Sequence, residues 1–257
     1  MSTPRQDYDF LRQIGAADTN IVDAQAERFG FRTQLVADFP HHRGAFFRQR
    51  GFKSAQTVDP AKGGVETGAK TLFSQVGLRS GERVCIHGAA GGVGTAAVQL
   101  AAAAGANVTA TVRDPQRRDA VADLGAHVVV DPADFVDAGP FDVILELVGA
   151  PNWPGNIDAL ATWGRIMIIG VGAGPKTEIN LVALMGKRAT IRASTLRARP
   201  LEEKAAAAQA MRAEVLPHLA AGRLQVPIEA TFALRDADAA LDRFAAGGKL
   251  GKIVLVD

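Results

Sequence analysis

The sequence predicts an α/β fold: a doubly wound parallel sheet, preceded by a short irregular segment and followed by a helix-strand tail. Three observations predict it. From Arg83 onward, short β-branched runs alternate with longer helical stretches, the pattern of successive βαβ units. These runs are apolar without alternation, as strands covered on both faces are. A glycine-rich turn from Gly88 to Gly94 joins the first run to an apolar helical stretch, which is how a Rossmann sheet opens.

The elements come in order. Residues 1–64 hold seven of the twelve phenylalanines and the only tyrosine, Tyr8, whereas the remainder of the chain is rich in Ala, Val, Gly and Leu. This shift places a boundary near Gly63-Gly64. Within the first segment a helical pattern covers Asp7-Ile14, a short strand Thr33-Val36, and polar, aromatic-rich loops Phe39-Phe52. The second segment, 65–226, carries strands at Val84-His87, Asn107-Val112, Val128-Val130, Asp142-Glu146, Arg165-Ile169 and Thr190-Ala193. Helices are predicted at Val93-Ala104, Pro115-Leu124 and Trp153-Ala161, with Gly105 and Gly125 where a helix end favours a residue that accepts positive φ. One long helix is predicted from Pro200 to Ala221. The tail, 227–257, reads as a strand near Phe232, a helix Asp236-Ala246 and a last strand Lys252-Val256.

Composition excludes several classes of function. With 257 residues, 47% hydrophobic and 22% charged, the chain can bury a core and is neither disordered nor fibrous. A net charge of +2 is too small to draw it onto nucleic acid or anionic lipid. It contains no run of about 18 apolar residues, and MSTPRQDYDF lacks the apolar stretch of a secretion signal. The expected partner is therefore a small molecule rather than nucleic acid or membrane, and the expected location is the cytoplasm. Cys85, the single cysteine, leaves no internal disulfide and no multi-thiolate zinc site; no metal is expected.

The glycine turn carries the chemistry. In Gly88-Ala89-Ala90-Gly91-Gly92-Val93-Gly94 one glycine permits the tight turn, another lets backbone amides approach a pyrophosphate, and a third lets the helix pack closely on the sheet. The phosphates would lie on the positive end of the helix. At the tip of the second strand, where an acid usually grips the adenosine ribose, stands Arg113. A guanidinium there can clamp a 2′-phosphate, with Arg117 as helper from the next helix, which favours NADP over NAD. Asp114, one residue on, is still available to a ribose hydroxyl.

With these residues in view, the stretch GERVCIHGAAGGVGTAAVQLAAAAGANVTATV resembles the cofactor domain of medium-chain dehydrogenase/reductases, in their zinc-free quinone oxidoreductase branch. DAVADLGAHVVVD, FDVILELVG, LATWGRIMIIG, KRATIRASTLRARPLEEKA and GKIVLVD resemble that branch in order and spacing. The resemblance covers about Val65 to Asp257. It implies that Ala90, Gly91, Gly92 and Val93 contact the pyrophosphate and Arg113 the adenosine end. Gly149, Val171, Gly172, Ser194, Thr195 and Leu196 would line the nicotinamide side. Pro132 stands where relatives often carry a stacking tyrosine or histidine. Relatives also dimerise through an edge strand, here Thr190-Ala193. In place of their barrel-like GroES-like domain, this chain has only residues 1–64, so the last strand, Lys252-Val256, needs other cover.

The function this implies is NADPH-dependent hydride transfer to a small electron acceptor, a quinone or an α,β-unsaturated carbonyl, with no catalytic side chain assigned. The alternative is a non-catalytic NADPH-binding module or truncated remnant. Other candidates are weaker. Cys85, Glu146, Trp153 and Trp163 read as structural, and His41-His42 as a solvated loop pair. Arg197 follows a nicotinamide-side loop and is within reach of the cofactor's phosphates.

Overall fold

The computed structural model describes residues 33–35, 70–195 and 200–256. In chain order its strands are β1 (Thr33–Leu35), β2 (Arg83–Ile86), β3 (Asn107–Thr111), β4 (Val128–Val130), β5 (Phe141–Glu146), β6 (Leu160–Ile168), β7 (Thr190–Ala193), β8 (Ile228–Ala233) and β9 (Lys252–Val256). Its α-helices are α1 (Gly92–Ala103), α2 (Arg118–Ala122), α3 (Trp153–Asp158), α4 (Leu181–Lys187), α5 (Leu201–Glu214), α6 (Leu216–Ala220) and α7 (Ala237–Ala245). The described residues fall into two compact units. One comprises 70–195, 200–227 and 248–252, the other 33–35, 228–247 and 253–256.

The larger unit is built on six strands in the order β4-β3-β2-β5-β6-β7, all parallel. From β2 the chain moves outward through β3 to β4; from β5 it moves the other way, through β6 to β7. Right-handed crossovers running in opposite directions must lie on opposite faces, so α1 covers one side of the sheet and α3 and α4 the other. On the second side Cys85, Ile144 and Ile166 stand side by side across β2, β5 and β6, packed with Phe141, Trp153 and Leu160. Their neighbours Val84, Ile86, Val143 and Leu145 alternate to the α1 side, fully buried. This two-sided burial is why the strands read as unbroken apolar runs.

Gly105 and Gly125, beyond α1 and α2, take φ values of 77° and 109°, as helix ends of that kind require. Four elements differ from the sequence expectation. The helix predicted to run to Ala161 ends at Asp158, and β6 begins at Leu160 rather than Arg165. The Lys187 ammonium donates to the Asp158 and Leu160 carbonyls, at 3.2 and 2.6 Å, and so ties down that helix end. Pairing with β5 then jumps from Phe141↔Leu160 to Val143↔Arg165, and the residues between bulge out with Trp163 at φ 65°. The long helix expected from Pro200 is two helices, broken at Val215 (φ −113°). Pro217 explains the break, because it has no amide to donate and its ring clashes with the preceding turn. Helix α4 was not expected at all, although its cap was legible: the Asn180 side chain accepts from the Ala183 amide at 3.1 Å.

In the smaller unit three strands lie in the order β1-β9-β8, with β1 antiparallel to β9. Ala240 of α7 packs with Ile253 and Leu255 of β9, flanked by Phe232, Ala237 and Phe244. The strand read at Thr33-Val36 thus occurs as β1, and it pairs with the last strand. The helix expected at Asp7-Ile14 lies outside the described residues.

Candidate functional site: the carboxyl edge of the parallel sheet

Strand order reverses between β2 and β5, and in open parallel sheets the crevice beyond the strand ends at that point receives ligands. The glycine turn lies there. Gly91 opens α1 without a side-chain cap, and the first helical bond runs from the Thr95 amide to the Gly91 carbonyl at 2.8 Å. The amides of Gly92, Val93 and Gly94 precede it and have no partner within the helix, which leaves them to a ligand of opposite charge. A Cβ at Gly94 would sit 2.5 Å from the Gly88 carbonyl oxygen and 2.6 Å from the Ala89 Cα. Only a residue without a side chain lets the helix come this close to the turn.

One neighbour of this turn escaped the sequence reading. Residues 248–252 cross it: the Gly251 amide donates to the Ala90 carbonyl at 2.8 Å, and Gly251 bridges Gly91 in parallel. The Lys252 side chain, only 8% exposed, lies over Gly92, where a Cβ would meet its Cε at 2.5 Å and its Nζ at 2.6 Å. The sequence held a faint signal, a lysine opening an otherwise apolar strand, Lys252-Ile-Val-Leu-Val. Nothing in spacing alone links residue 252 to residue 92.

At the tip of β3, Arg113 is exposed and makes no hydrogen bond or ion pair among the described residues. Its neighbours are engaged. Asp114 accepts from the Gln116 amide at 3.0 Å, and Arg117 Nε donates to the Gly248 carbonyl at 3.2 Å while lying 3.9 Å from Asp114 Oδ2. Arg118 donates to the Val112 carbonyl and to Asp131 Oδ2, at 3.1 and 2.8 Å. Arg113 is thus the cation at this tip without a partner among the described residues.

The nicotinamide-side residues expected from the sequence gather at the ends of β5, β6 and β7. Gly149 takes φ 113°, and a Cβ there would lie 2.5 Å from the Gly174 carbonyl and 2.9 Å from the Val171 Cα. Val171 is exposed, and Gly172 has open space where a side chain would be. The Ser194 amide donates to the Ile168 carbonyl at 3.0 Å, and its hydroxyl accepts from Gln75 Nε2 at 3.2 Å. Gln75 Oε1 is buried there without a donor among the described residues. Thr195 is exposed beside it. Leu196, Arg197, His41, His42 and Tyr8 lie outside the described residues.

Beneath these loops lies a buried polar cluster. Glu146, at the end of β5, is wholly buried and accepts from the Val148 and Gly149 amides at 2.7 and 2.8 Å, and from the side chains of Asn152 and Asn156. His87, at the end of β2, is also wholly buried, with Nε2 2.7 Å from Asn156 Oδ1 and Nδ1 3.1 Å from Thr111 Oγ1. Burial pushes its pKa below the ordinary histidine value, although Glu146 and the Asn156 bond pull the other way. Burial pushes the Cys85 thiol up, helped by Glu146, so the thiol is an inert core group. Among the described residues no three His, Cys, Asp or Glu side chains stand together as a metal centre needs.

Comparison with known proteins agrees with this geometry. A family model described as "Zinc-binding dehydrogenase" matches residues 92–213. The quinone oxidoreductase of Rattus norvegicus is 31% identical over 200 residues, 74% of this chain and 59% of that protein. The quinone oxidoreductase of Pseudomonas aeruginosa is 28% identical over 188 residues, 70% of this chain and 58% of that protein. A solved quinone oxidoreductase from Pseudomonas syringae superposes with a TM-score of 0.65 at 30% identity, over 75% of this chain and 62% of that one. The chain belongs to the medium-chain dehydrogenase/reductase superfamily and is quinone oxidoreductase-like. As a member of that superfamily, it supplies the Rossmann-like sheet and its carboxyl-edge loops, and it spans less than two-thirds of the length of each relative. No helix among the described residues is long and apolar enough to cross a membrane.

Proposed function

We propose that this chain binds NADPH along the carboxyl edge of its parallel sheet and serves an oxidoreductase that passes hydride to a quinone or an α,β-unsaturated carbonyl. The observation that carries the reading is the pairing of two features at the switch point: a glycine cradle that a Cβ would fill, and a cation at the β3 tip with no partner among the described residues. When bound, NADPH supplies the hydride from its nicotinamide C4. The chain's own work is placement. The Gly92, Val93 and Gly94 amides hold the pyrophosphate, with Ala90 and Gly91 shaping the turn and Lys252 closing it. Arg113 takes the 2′-phosphate; Arg117, held by Gly248, orients the 248–252 segment beside it. Gly149, Val171, Gly172, Ser194 and Thr195 border the nicotinamide. The exposed edge β7, beside Leu181, Val182 and Met185 at 66%, 77% and 74% exposure, is where a second copy would pair.

A second reading, a coenzyme-binding module without turnover, is favoured by Glu146. This carboxylate, three residues before Gly149, commits both oxygens to the chain's own donors and offers none to a reacting group. Calorimetry with NADPH and NADH, alongside NADPH consumption with 1,4-benzoquinone, tests both readings. Loss of about two charge-assisted bonds in Arg113→Glu is expected to weaken NADPH binding by roughly a hundredfold or more while leaving NADH nearly unaffected. Equal binding of both coenzymes by the wild type would refute the Arg113 assignment. Tight binding without turnover would select the module.

A further inference from the structure

The cluster beneath the two coenzyme loops is more than a satisfied core. Its hydrogen bonds run in one direction when the His87 ring is neutral. Backbone amides can only donate, so Glu146 Oε1 is an acceptor from Val148 and Gly149, at 2.7 and 2.8 Å. Its other oxygen receives Asn156 Nδ2 at 2.7 Å, which turns the Asn156 oxygen toward His87 Nε2, also at 2.7 Å. His87 must therefore carry its proton on Nε2. With the ring neutral, as its burial against Phe135 and the lowered pKa favour, Nδ1 is an acceptor and takes the Thr111 hydroxyl proton at 3.1 Å. The Thr111 oxygen is then free to accept the Gly88 amide at 3.3 Å. An unbroken chain thus runs from the first residue of the glycine turn to Gly149 on the nicotinamide side. Val148 also lies against Gly88, where a Cβ would meet its Cγ2 at 3.3 Å.

We propose that Glu146 is a positioning residue for the coenzyme site: it clamps the Val148-Gly149 turn directly and, through Asn156, His87 and Thr111, sets the orientation of the Gly88 amide. The role as coenzyme positioner rests on the NADPH reading above, whereas the direction of the chain does not. One buried carboxylate thereby aligns two loops that come from different strands. Gly149 lies so near Gly174 and Val171 that a Cβ would stand 2.5 Å from the Gly174 oxygen and 2.9 Å from the Val171 Cα, so a change at Glu146 that displaces Gly149 presses on the neighbouring loop of the nicotinamide wall.

Glu146→Gln makes the test sharp. Its amide presents an oxygen to the backbone donors and to Asn152 Nδ2, 3.3 Å from that oxygen in the wild type, and an NH2 group to Asn156, two donors facing each other. The relaxed arrangement flips Asn156, which then donates to His87 Nε2, and His87 moves its proton to Nδ1 and donates to Thr111. The double variant E146Q/N156D restores the original direction, since the carboxylate introduced by N156D accepts both from the amide introduced by E146Q and from His87.

The experiment combines 15N NMR of histidine-labelled protein, with the His87 signal assigned by its loss in His87→Gln, and titration with NADPH and with 2′,5′-ADP, which reaches the adenosine end and the glycine turn only. The wild type is expected to show the neutral Nε2–H tautomer, E146Q the Nδ1–H tautomer, and the double variant Nε2–H again. E146Q is expected to weaken NADPH about tenfold, to weaken 2′,5′-ADP, whose 5′-phosphate would lie on the glycine turn, by a smaller factor, and to be rescued by N156D. A wild-type ring that is Nδ1–H or charged overturns the chain, and this measurement stands even where E146Q fails to fold. A tautomer shift with NADPH binding unaltered overturns the positioning role. Absence of NADPH binding by the wild type overturns the coenzyme reading and, with it, the positioning role, while the tautomer still judges the chain.

Discussion

Replacing Gly94 with alanine sets two effects of known sign against each other, and the structure says which wins. Alanine in place of glycine within a helix is worth up to about 1 kcal/mol. Against this, the new Cβ would stand 2.5 Å from the Gly88 oxygen, 2.6 Å from the Ala89 Cα and 2.8 Å from the Ala89 carbonyl carbon, where ordinary contact begins at 3.4 Å. All three atoms are backbone, so none can rotate aside, and the turn must withdraw by roughly 0.9 Å or the helix must lift. Overpacking of this kind costs about 1–3 kcal/mol. A net loss of up to about 2 kcal/mol is expected, a fall in Tm of up to about 8 °C for a domain of this size, together with weaker NADPH binding as the amides leave their places. Gly92→Ala is the control: the three atoms nearest its Cβ are the Cε, Nζ and Cδ of Lys252, the far end of a side chain, which can turn aside where backbone cannot. Its stability should stay within about 0.5 kcal/mol of the wild type. Urea unfolding of the three proteins measures this. A Gly94→Ala midpoint at or above that of the wild type would refute the close approach of helix and turn, and with it the cradle on which the coenzyme reading stands.

Three further outcomes rest on the same geometry. His87 has a lowered pKa when folded, so the unfolded chain takes up a proton first, near pH 6.5; stability should be intact above that pH and fall on acidification below it, by up to about 1.4 kcal/mol per pH unit. His87→Gln should flatten this fall, measured as the difference between the two proteins' urea midpoints against pH, and parallel curves would contradict it. Cys85 is fully buried with its thiol pKa raised, so a thiol reagent such as DTNB should label it only as fast as the protein opens; immediate labelling would show the β2 core to be misplaced. Pairing of β7 between copies predicts a dimer mass by light scattering, shifted toward monomer by Met185→Asp on the helix that leads into that edge; a monomeric wild type would sink the idea.

The amino-acid sequence by itself determined the parallel sheet, its strands to within a residue or two at most ends, and the glycine turn, because these depend on local patterns: unbroken apolar runs, helix-end glycines, small residues where backbones meet. It also marked Arg113 by its position after a strand. Its errors lay where a local signal was decided by a distant partner, as at Leu160, which joins the sheet because Lys187 holds its carbonyl and Phe141 pairs with it. Only the tertiary structure disclosed that Lys252 lies over Gly92, far earlier in the chain. It alone joined His87, Thr111, Asn156 and Glu146 into one directed chain. Along the sequence, each of these is an ordinary polar residue near a strand end. Their chemistry arises from the stacking of strand ends at one edge of the sheet, and a parallel sheet brings together strand ends that are remote along the chain, so no local pattern could announce it.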